Sequence, residues 1–539
     1  MPAPSVGPRQ WWGLIAIALG VALIVVDTTI VNVITPSVID DLGISSSQAQ
    51  WIQESYAIMF AALLLLFGRV ADLVGARRVF VLGTVAFGVT SLLAGLAPSG
   101  GVLILARFLQ GAAGAMLLPT SLSLLNQTFT GKARGQAFAV WGSTIGAATA
   151  VGPVVGGWLS EHASWRWAFG INVPLVAIIL ALSVAFLPVS KRTAGRVDLP
   201  GSVLSFTGLA ALAFGLIEGR SYGWVTTRKP FTVLGQTWDA GLSPVFVALL
   251  IAAVLLALFT WRQVRLSNSG GEPLMNTQLF RISSFRNGNI ATLIIGLGEF
   301  GIIAVIPLWL QFTLGYTALQ AGVALLPLAL GSFFASGLSF GLAEKLSALA
   351  LVRTGLAIEA LTLAALGVVA ATTSAPWWSI ALALFGYGIG VGFATAQVTN
   401  VVLADLPDEQ GGQGSGIQST FRQLGSALGI AALTTVFFST LSNDVKSGLR
   451  AEHLPADQVD RFAAAVTDSA GAVIAPLAGN PATAVVARAA RDAMTNGVEL
   501  GCYVAAGFLA LGVLATLLIP AARPTPAAAP PVEREEQLT

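Results

Sequence analysis

Long apolar stretches recur along almost the whole sequence, and they constrain its fold more than any other feature. Each has close to the ~20 residues that an α-helix needs to cross the hydrocarbon core of a bilayer. Only 10% of the 539 residues are charged, whereas a soluble domain carries about 25%. The sequence therefore predicts an all-α polytopic membrane protein. Its fourteen predicted spans lie near residues 12–34, 50–68, 79–97, 102–124, 135–158, 171–188, 201–218, 243–261, 289–310, 321–341, 349–371, 378–402, 415–440 and 499–520.

Basic residues are distributed unevenly between alternate loops. If the N-terminus is cytoplasmic, most arginines and lysines fall in cytoplasmic loops, and the short outer loops receive only Arg166, Arg220, Arg228 and Lys229. Cytoplasmic loops of membrane proteins are enriched in these two residues. The even number of spans then predicts that both termini are cytoplasmic. We expect the tail 521–539, rich in proline and alanine, to be disordered.

Two longer segments between spans are predicted to lie on the outer side of the membrane. Residues 219–242 form a predicted outer loop. Residues 441–498 are rich in alanine and carry mixed charge, which predicts a small outer cap. We expect helices within this cap at Leu449–Val466 and Ala482–Met494.

Several function classes find no support in the composition. The single cysteine, Cys502, excludes an internal disulfide and a cysteine-rich metal site, and two histidines make a histidine metal site implausible. A net charge of +2 gives no indication of nucleic acid. The glycine run 386–392 lies inside a predicted span, without the strand that a nucleotide-binding loop requires. The sequence therefore predicts no enzyme activity and no cofactor, and it leaves an ion gradient as the energy source.

Several charged residues lie within predicted spans, and Asp27 and Arg107 are the two in the first four spans that most need an explanation. Asp27 is in the first span, where a carboxylate is costly unless it faces protein or a water-filled cavity. We interpret it as a proton or cation site. Arg107 is in the fourth span and shares one helix face with Gln110, Gly111 and Gly114. Because a guanidinium stays charged, Arg107 needs a partner or water; alternatively, it extends from the outer helix end to the membrane surface.

The loop between spans 2 and 3 contains an acid as well as bases. A tight turn with positive-inside charges explains its arginines but not Asp72. The pattern resembles the signature loop of the major facilitator superfamily, and this resemblance implies a latch that stabilises one access state. The residues that match the signature include Gly68, Asp72, Gly75 and Arg77, and the basic residue Arg78 follows them.

Span 5 contains Gly152, Pro153, Gly156 and Gly157. Small residues four apart let helices approach closely, and proline kinks a helix, so packing alone could explain the pattern. The same residues resemble the antiporter signature of the superfamily, with Ala148 in place of its first glycine. The resemblance implies exchange of a substrate against an ion.

Further motifs narrow the resemblance to the fourteen-span drug:proton antiporters of the superfamily. They are Asp27–Val33, Trp165–Trp167, Ile171–Pro174 and Gly414–Gly425, and the similarity runs from about residue 12 to 440 and includes the final span. The implied architecture is a major facilitator fold of two six-helix bundles with two extra central spans. The implied division is a cytoplasmic N-tail 1–11, bundles at 12–188 and 289–520, and inserted spans at 201–261.

The resemblance also implies site residues. The family's cavity is lined by spans 1, 4, 9 and 12, and its span 4 arginine is implicated in proton transfer, which assigns coupling to Asp27, Arg107 and Glu299. Glu359 is predicted to be peripheral, in a structural pair with Arg353 or Lys345. Predicted substrate-cavity residues are Asn32, Gln110, Gln397, Asn400 and Glu54.

These observations predict a proton-coupled antiporter that exports lipophilic, cationic drugs by alternating access. A carboxyl that holds either a proton or a cationic substrate would produce the exchange. The expected partners are a small lipophilic substrate, protons and the lipid bilayer, and the expected state is a monomer in a bacterial inner membrane. One alternative is an exporter dedicated to one natural product or lipid, and another is a membrane scaffold or receptor without transport.

Overall fold

The computed structural model describes residues 7–519, except for residues 45, 191, 193, 234–235, 239–240, 343–344, 373–375 and 408–409. A few side chains within helices, including that of Asn32, are also outside the described set. The predicted disordered tail 521–539 lies outside the described residues. The described chain contains fourteen segments that are long and apolar enough to cross a membrane, which confirms the predicted all-α polytopic fold.

The first six spans are built from seven helices because the sixth span is interrupted at Ile171. Helix α1 ends at Leu42 and is followed by Gly43, whose φ of 59° favours glycine. The helices are α1 (Pro8–Leu42), α2 (Ser46–Val74), α3 (Ala76–Gly95), α4 (Gly100–Thr128), α5 (Gly131–His162), α6 (Arg166–Gly170) and α7 (Asn172–Phe186).

The next two spans are α8 (Leu199–Tyr222) and α9 (Pro244–Asn268), which pack against each other. The predicted outer loop between them contains a short antiparallel hairpin of β1 (Phe231–Val233) and β2 (Gln236–Trp238). At the opposite end, the Arg262 side chain of α9 donates to both carboxylate oxygens of Asp198 at 2.7–3.1 Å.

Burial opposes the charge of Asp198, but hydrogen bonds from Arg262, Gln263 and the Gly201 N–H hold the pKa of this carboxyl below its usual value. Asp198 also caps the N-terminus of α8. The two inserted spans are therefore tied together at their ends by one ionised carboxylate.

The last six spans follow a short 3-10 helix at Thr277–Arg281. The tenth span is interrupted at Leu325, shortly before Pro327, which cannot donate a backbone hydrogen bond. The helices are α10 (Ser283–Phe312), α11 (Ala318–Ala324), α12 (Leu326–Leu342), α13 (Ala348–Ala371), α14 (Trp377–Leu403), α15 (Gly411–Ala451), α16 (Ala456–Asp468), α17 (Ile474–Ala478) and α18 (Ala484–Leu517).

The helices pack in two groups that meet at two places. Helices α1–α5 and α7 pack on one another, as do α10, α12–α15 and α18. Between the groups, α2 and α4 contact α15, and α5 contacts α11, α12 and α14. Helix α8 packs on α2 and α15, so the inserted pair adjoins both groups. The division of the chain into domains at 12–188, 201–261 and 289–520 stays a prediction. The first and last of these ranges contain the two groups of helices, and the middle range contains α8 and α9.

The segment 441–498, which is predicted to lie on the outer side, differs from its prediction in one respect. No helix spans Leu449–Val466, because α15 ends at Ala451 and α16 begins only at Ala456. The chain reverses between them at His453, whose φ is 60°, and at Pro455. A continuous helix is incompatible with both features. Helix α16 then packs back on α15, and the predicted Ala482–Met494 helix forms the first part of α18.

Candidate functional site

Asp27 lies in a polar network that is sealed inside the N-terminal group of helices. Its side chain is fully buried, and Arg107 Nη1 donates to Asp27 Oδ2 at 2.5 Å. Asp27 Oδ1 accepts from Gln110 Nε2 at 2.8 Å and from Asn172 Nδ2 at 2.9 Å. Ser91 Oγ accepts from both amides. Four helices, α1, α3, α4 and α7, therefore converge on one carboxylate.

Arg107 is held from several sides. Its Nη1 also donates to Gln110 Oε1 at 2.7 Å, and its Nε donates to the Ile52 carbonyl of α2 at 3.2 Å. The guanidinium carbon lies 4.4 Å from the centre of the Tyr56 ring, which is a cation–π contact. With only 1% of its surface exposed, Arg107 does not extend to the membrane surface. The first of the two interpretations of this residue, an internal partner, therefore holds.

The glycines of α5 position α1 for this network. A Cβ at Gly152 would overlap Thr29, and one at Gly156 would lie 2.7 Å from Ile30 Cγ1. A Cβ at Gly157 would instead meet Leu319, at 3.6 Å. The α1 residues Thr29 and Ile30 directly follow Asp27 and Thr28. Thus Gly152 and Gly156 of the predicted antiporter motif permit close contact between α5 and the segment of α1 that carries the buried acid.

The predicted latch loop joins the two groups of helices through Asp72. The Asp72 carboxylate accepts from the backbone N–H groups of Gly412 and Gln413, both at 2.7 Å. These groups are at the N-terminus of α15, where unpaired N–H groups and the helix dipole favour an anion. A Cβ at Gly68 would approach Gly412 and Gly416 within 2.9 Å. The closeness of α2 and α15 therefore requires glycine at this crossing.

The other latch residues act within the N-terminal group. Gly75 has a φ of 103°, which favours glycine. Arg77 donates to the Val184 carbonyl at 2.8 Å, and its N–H donates to Ser190 Oγ at 3.0 Å. Arg78 is exposed. Of the five predicted latch residues, only Gly68 and Asp72 are thus described in contact with α15, which belongs to the C-terminal group of helices.

Glu299 belongs to a second network, in the C-terminal group. Its carboxylate lies 3.3 Å from Arg422 Nη2 and accepts from Thr395 Oγ1 at 3.2 Å. Tyr387 donates its hydroxyl to the Glu299 carbonyl at 3.0 Å. Glu299 is 3% exposed and the Arg422 side chain 13%. Each group of helices therefore contains a buried carboxylate that is paired with an arginine of a different span.

Glu359 does not form the predicted peripheral pair. Its side chain is fully buried, whereas Arg353 donates to the Thr516 carbonyl at 2.9 Å. Neither carboxyl oxygen of Glu359 has a hydrogen-bond partner among the described residues. The interpretation as a structural pair with Arg353 or Lys345 is wrong, because α13 turns this buried residue towards α14, whereas Arg353 bonds the Thr516 carbonyl and Lys345 is exposed.

The predicted substrate-cavity residues are scattered. Gln110 is part of the Asp27 network. Gln397 is buried, donates to Ser339 Oγ at 2.7 Å and accepts from Asn400 Nδ2 at 3.4 Å. Glu54 is buried beside Glu218 of α8, with a hydrogen bond between their side chains. The Asn32 side chain lies outside the described set. The assignment of these residues to a substrate cavity stays a prediction.

Sequence reasoning did not assign site roles to Ser91, Asn172, Thr395 or Arg422. Asn172 was visible within the Ile171–Pro174 motif, and Arg422 was visible as a charge within a span. Ser91 and Thr395 gave no signal, because a single hydroxyl in an apolar helix also satisfies itself by bonding its own backbone.

Comparisons with known proteins agree with this architecture. A family model described as Major Facilitator Superfamily matches residues 17–430. The puromycin resistance protein pur8 of Streptomyces alboniger is 37% identical over 80% of this chain and 82% of its own length. The multidrug efflux pump LfrA of Mycolicibacterium smegmatis is 31% identical over 92% of this chain and 94% of its own.

Solved structures support the same fold. The human organic anion transporter MFSD10 superimposes with a TM-score of 0.60 at 14% identity, covering 95% of this chain and all of its own. The proton:xylose symporter XylE gives a TM-score of 0.59 at 14% identity, over 96% of this chain and 97% of its own. At this identity, the likeness supports the fold alone.

Proposed function

The chain belongs to the major facilitator superfamily of membrane transporters, and on that premise we propose that it is a proton-coupled antiporter that exports small lipophilic compounds. The observation that carries the proposal is the buried Asp27–Arg107 pair with its amide donors. An intramembrane ion pair is costly to build and marks ion or proton pathways in transporters.

Protonation of Asp27 is the coupling step in this proposal. A proton from the outer side neutralises the carboxylate and removes its attraction for the Arg107 guanidinium. The amides of Gln110 and Asn172 still donate to the neutral acid. Arg107 keeps Gln110 Oε1 and the Ile52 carbonyl as acceptors. A proton-motive force of 100 mV supplies about 2.3 kcal/mol per charge moved, which biases the cycle towards export.

Each coupling acid already holds a cation, and this changes the predicted competition between proton and substrate. Arg107 and Arg422 occupy the places at Asp27 and Glu299 that a cationic drug would take. A cationic substrate therefore has to displace an arginine, or it binds elsewhere in the cavity and is coupled through helix movement. A neutral lipophilic substrate does not compete with either arginine for its carboxylate.

The names of the relatives support two substrate ranges for this proposal. LfrA and the protein Stp of Mycobacterium tuberculosis are named as multidrug proteins, which favours a broad range of lipophilic compounds. The tetracenomycin C resistance and export protein of Streptomyces glaucescens, 30% identical over 89% of this chain and 85% of its own length, is named for one antibiotic.

The second candidate is an exporter dedicated to one natural product. Its support is the 37% identity to a relative that is named for puromycin resistance alone. The two candidates differ in substrate range, so a panel of cationic, neutral and anionic compounds separates them. For either candidate, we propose a monomer in a bacterial cytoplasmic membrane with both termini inside and the proton gradient as the energy source.

Ethidium uptake into energised inverted vesicles tests the proposal. We expect uptake by the wild type to stop when a protonophore is added. Asp27→Asn should lose proton-driven uptake, and Glu299→Gln should lose or reduce it. Asp41→Asn is the matched control, because Asp41 lies on the same helix as Asp27 but at its outer end, with 48% of its side chain exposed.

Two outcomes contradict parts of the proposal. Full proton-coupled transport by Asp27→Asn would remove Asp27 from the coupling mechanism. Absence of ethidium transport by a folded wild type, combined with transport of one neutral or anionic compound, would favour the dedicated exporter.

A further inference from the structure

Glu359 is a buried acid for which the coupling mechanism above has no use. It is on α13, in the eleventh span, and is completely buried. Burial here is by protein, since a Cβ at Gly390 of α14 would overlap the Glu359 side chain. Both carboxyl oxygens lack a hydrogen-bond donor among the described residues. An ionised carboxylate is very unstable in such a place, whereas the neutral acid is tolerated.

Glu359 and the Glu299–Arg422 pair contact the same part of α14. Gly390, against which Glu359 packs, follows Tyr387 by one turn of α14, and Tyr387 donates to the Glu299 carbonyl. Thr395, farther along α14, donates to the Glu299 carboxylate. Glu359 interacts electrostatically with Glu299 and Arg422.

These contacts place two acids and one guanidinium in a single buried cluster. The Tyr387 hydroxyl interacts with both acids, and the Cys502 thiol of α18 interacts with that hydroxyl. Neither the hydroxyl nor the thiol is charged at neutral pH. The positive charge of Arg422 balances only one of the two carboxylates. The cluster is therefore electrically neutral only if the other acid carries a proton.

We propose that Glu359 is a proton-binding site, and that Glu359 and Glu299 together hold one proton beside the single positive charge of Arg422. In the conformation described, the proton is on Glu359 and the Glu299 carboxylate pairs with Arg422. When Glu299 takes up a proton, Arg422 loses its counter-ion, and its positive charge then favours release of the Glu359 proton. One proton binds, one leaves, and the net charge of the cluster is conserved.

The neutral acid is directly observable. Infrared spectra of the purified protein in lipid at neutral pH should contain the carbonyl band of a buried carboxylic acid, and this band should disappear in Glu359→Gln. Glu359→Asp, which keeps the acid, should retain a band. Glu272→Gln is the matched control, because Glu272 is an exposed glutamate with 47% of its side chain accessible, and this variant should leave the band unchanged.

The functional consequence rests on the proposed antiport, so it is measured separately. In proteoliposomes, Glu359→Gln should retain substrate counterflow, which requires no net proton movement, and should transport fewer protons per substrate than the wild type. Unchanged proton stoichiometry would overturn the coupling role of Glu359.

The two experiments fail independently. An identical carbonyl band in wild type and Glu359→Gln, with both proteins monodisperse, would overturn the proton site even if transport is proton-driven. Loss of the band in Glu359→Gln supports the site even if the wild type transports without protons. If Glu359→Gln does not fold, the Glu359→Asp spectrum decides: a band shifted relative to wild type assigns it to this residue, and an unshifted band overturns the assignment.

Discussion

The two arginines determine how the two central acids can act. Asp27 and Glu299 each face a guanidinium at 2.5 and 3.3 Å, respectively. Removal of one partner from a buried pair leaves an uncompensated charge, which costs about 3–5 kcal/mol. The pairs are therefore structural elements as well as candidates for coupling, and variants of either residue need a readout of folding beside the transport assay.

Neutralising Arg107 alone should be more damaging than neutralising the whole pair. We expect Arg107→Gln to lower stability by about 3 kcal/mol, because Asp27 loses its counter-ion. The double variant Asp27→Asn with Arg107→Gln should recover most of this loss but none of the proton-driven transport. Thermal unfolding in detergent and vesicle transport would be measured on the wild type, on the single variants Asp27→Asn and Arg107→Gln, and on the double variant.

The interaction energy in this double-mutant cycle checks the pairing: the double variant should be destabilised by less than the sum of the two single variants. Additive effects of the two substitutions on the unfolding temperature would contradict a direct Asp27–Arg107 interaction. Recovery of proton-driven transport in the double variant would remove the pair from the coupling mechanism.

Close helix contacts bring these residues together, and glycine makes them possible. On α5, Gly152 and Gly156 accept α1 beside the buried acid, and on α2, Gly68 lies against Gly412 and Gly416 of α15. Membrane helices gain little from burying apolar surface against each other, so close approach through small residues is an important source of their packing energy. Single methyl groups at these crossings should consequently have large effects.

Gly156→Val should displace α1 and abolish transport, because even its Cβ would lie 2.7 Å from Ile30 Cγ1. Overpacking of this kind costs about 1–3 kcal/mol. Gly157→Ala is the matched control in the next position, where the nearest atoms would be 3.6 Å away in ordinary contact. Transport rate and unfolding temperature would be compared between the two; equal effects would show that the close α1–α5 contact is unimportant.

The molecule as a whole is held together across its two groups of helices at few points. One is the crossing of α2 with α15, where the Asp72 carboxylate caps the α15 N-terminus. Another is the contact of α5 with α11 and α12. Because alternating access requires the groups to rock against each other, these contacts have to break and re-form during transport.

Asp72→Asn should shift the molecule towards the state that is open on the latch side. The neutral amide of asparagine lacks the charge that attracts the carboxylate to the N-terminus of α15. Only its oxygen can accept a hydrogen bond, whereas both carboxylate oxygens accept one. Spin labels at the exposed positions Val74 and Ala404, in a Cys502→Ser background, would report a longer distance distribution than in the wild-type background.

Arg78→Gln is the comparison for the latch, because Arg78 is exposed in the same loop and, among the described residues, forms no hydrogen bond or ion pair with α15. We expect it to leave the distance distribution unchanged. A shift of equal size in both variants would indicate a general effect of loop charge instead of the Asp72 cap.

The orientation of the whole chain is a further expectation. Green fluorescent protein fused after residue 517 should fluoresce, and alkaline phosphatase at the same place should be inactive, because the positive-inside rule predicts a cytoplasmic C-terminus. Alkaline phosphatase inserted between α16 and α17, in the predicted outer cap, should be active. The reverse pattern would invert the predicted topology.

The spans, their number and the presence of charged residues within them were predictable from the sequence alone. Hydrocarbon accepts only helices of about 20 apolar residues, so membrane insertion is set by local composition. The alignment of Arg107 with Gln110 on one helix face was also predictable, because it depends only on the helical repeat.

The partners of the central charges were decided by the tertiary structure. Asp27 and Asn172 are 145 residues apart, and Asp72 and Gly412 are 340 residues apart. Glu359 was predicted to be peripheral and is completely buried. Helices that are apolar on every side do not reveal which face is inside. That choice depends on which helices pack together, and only the folded chain brings their polar residues into contact.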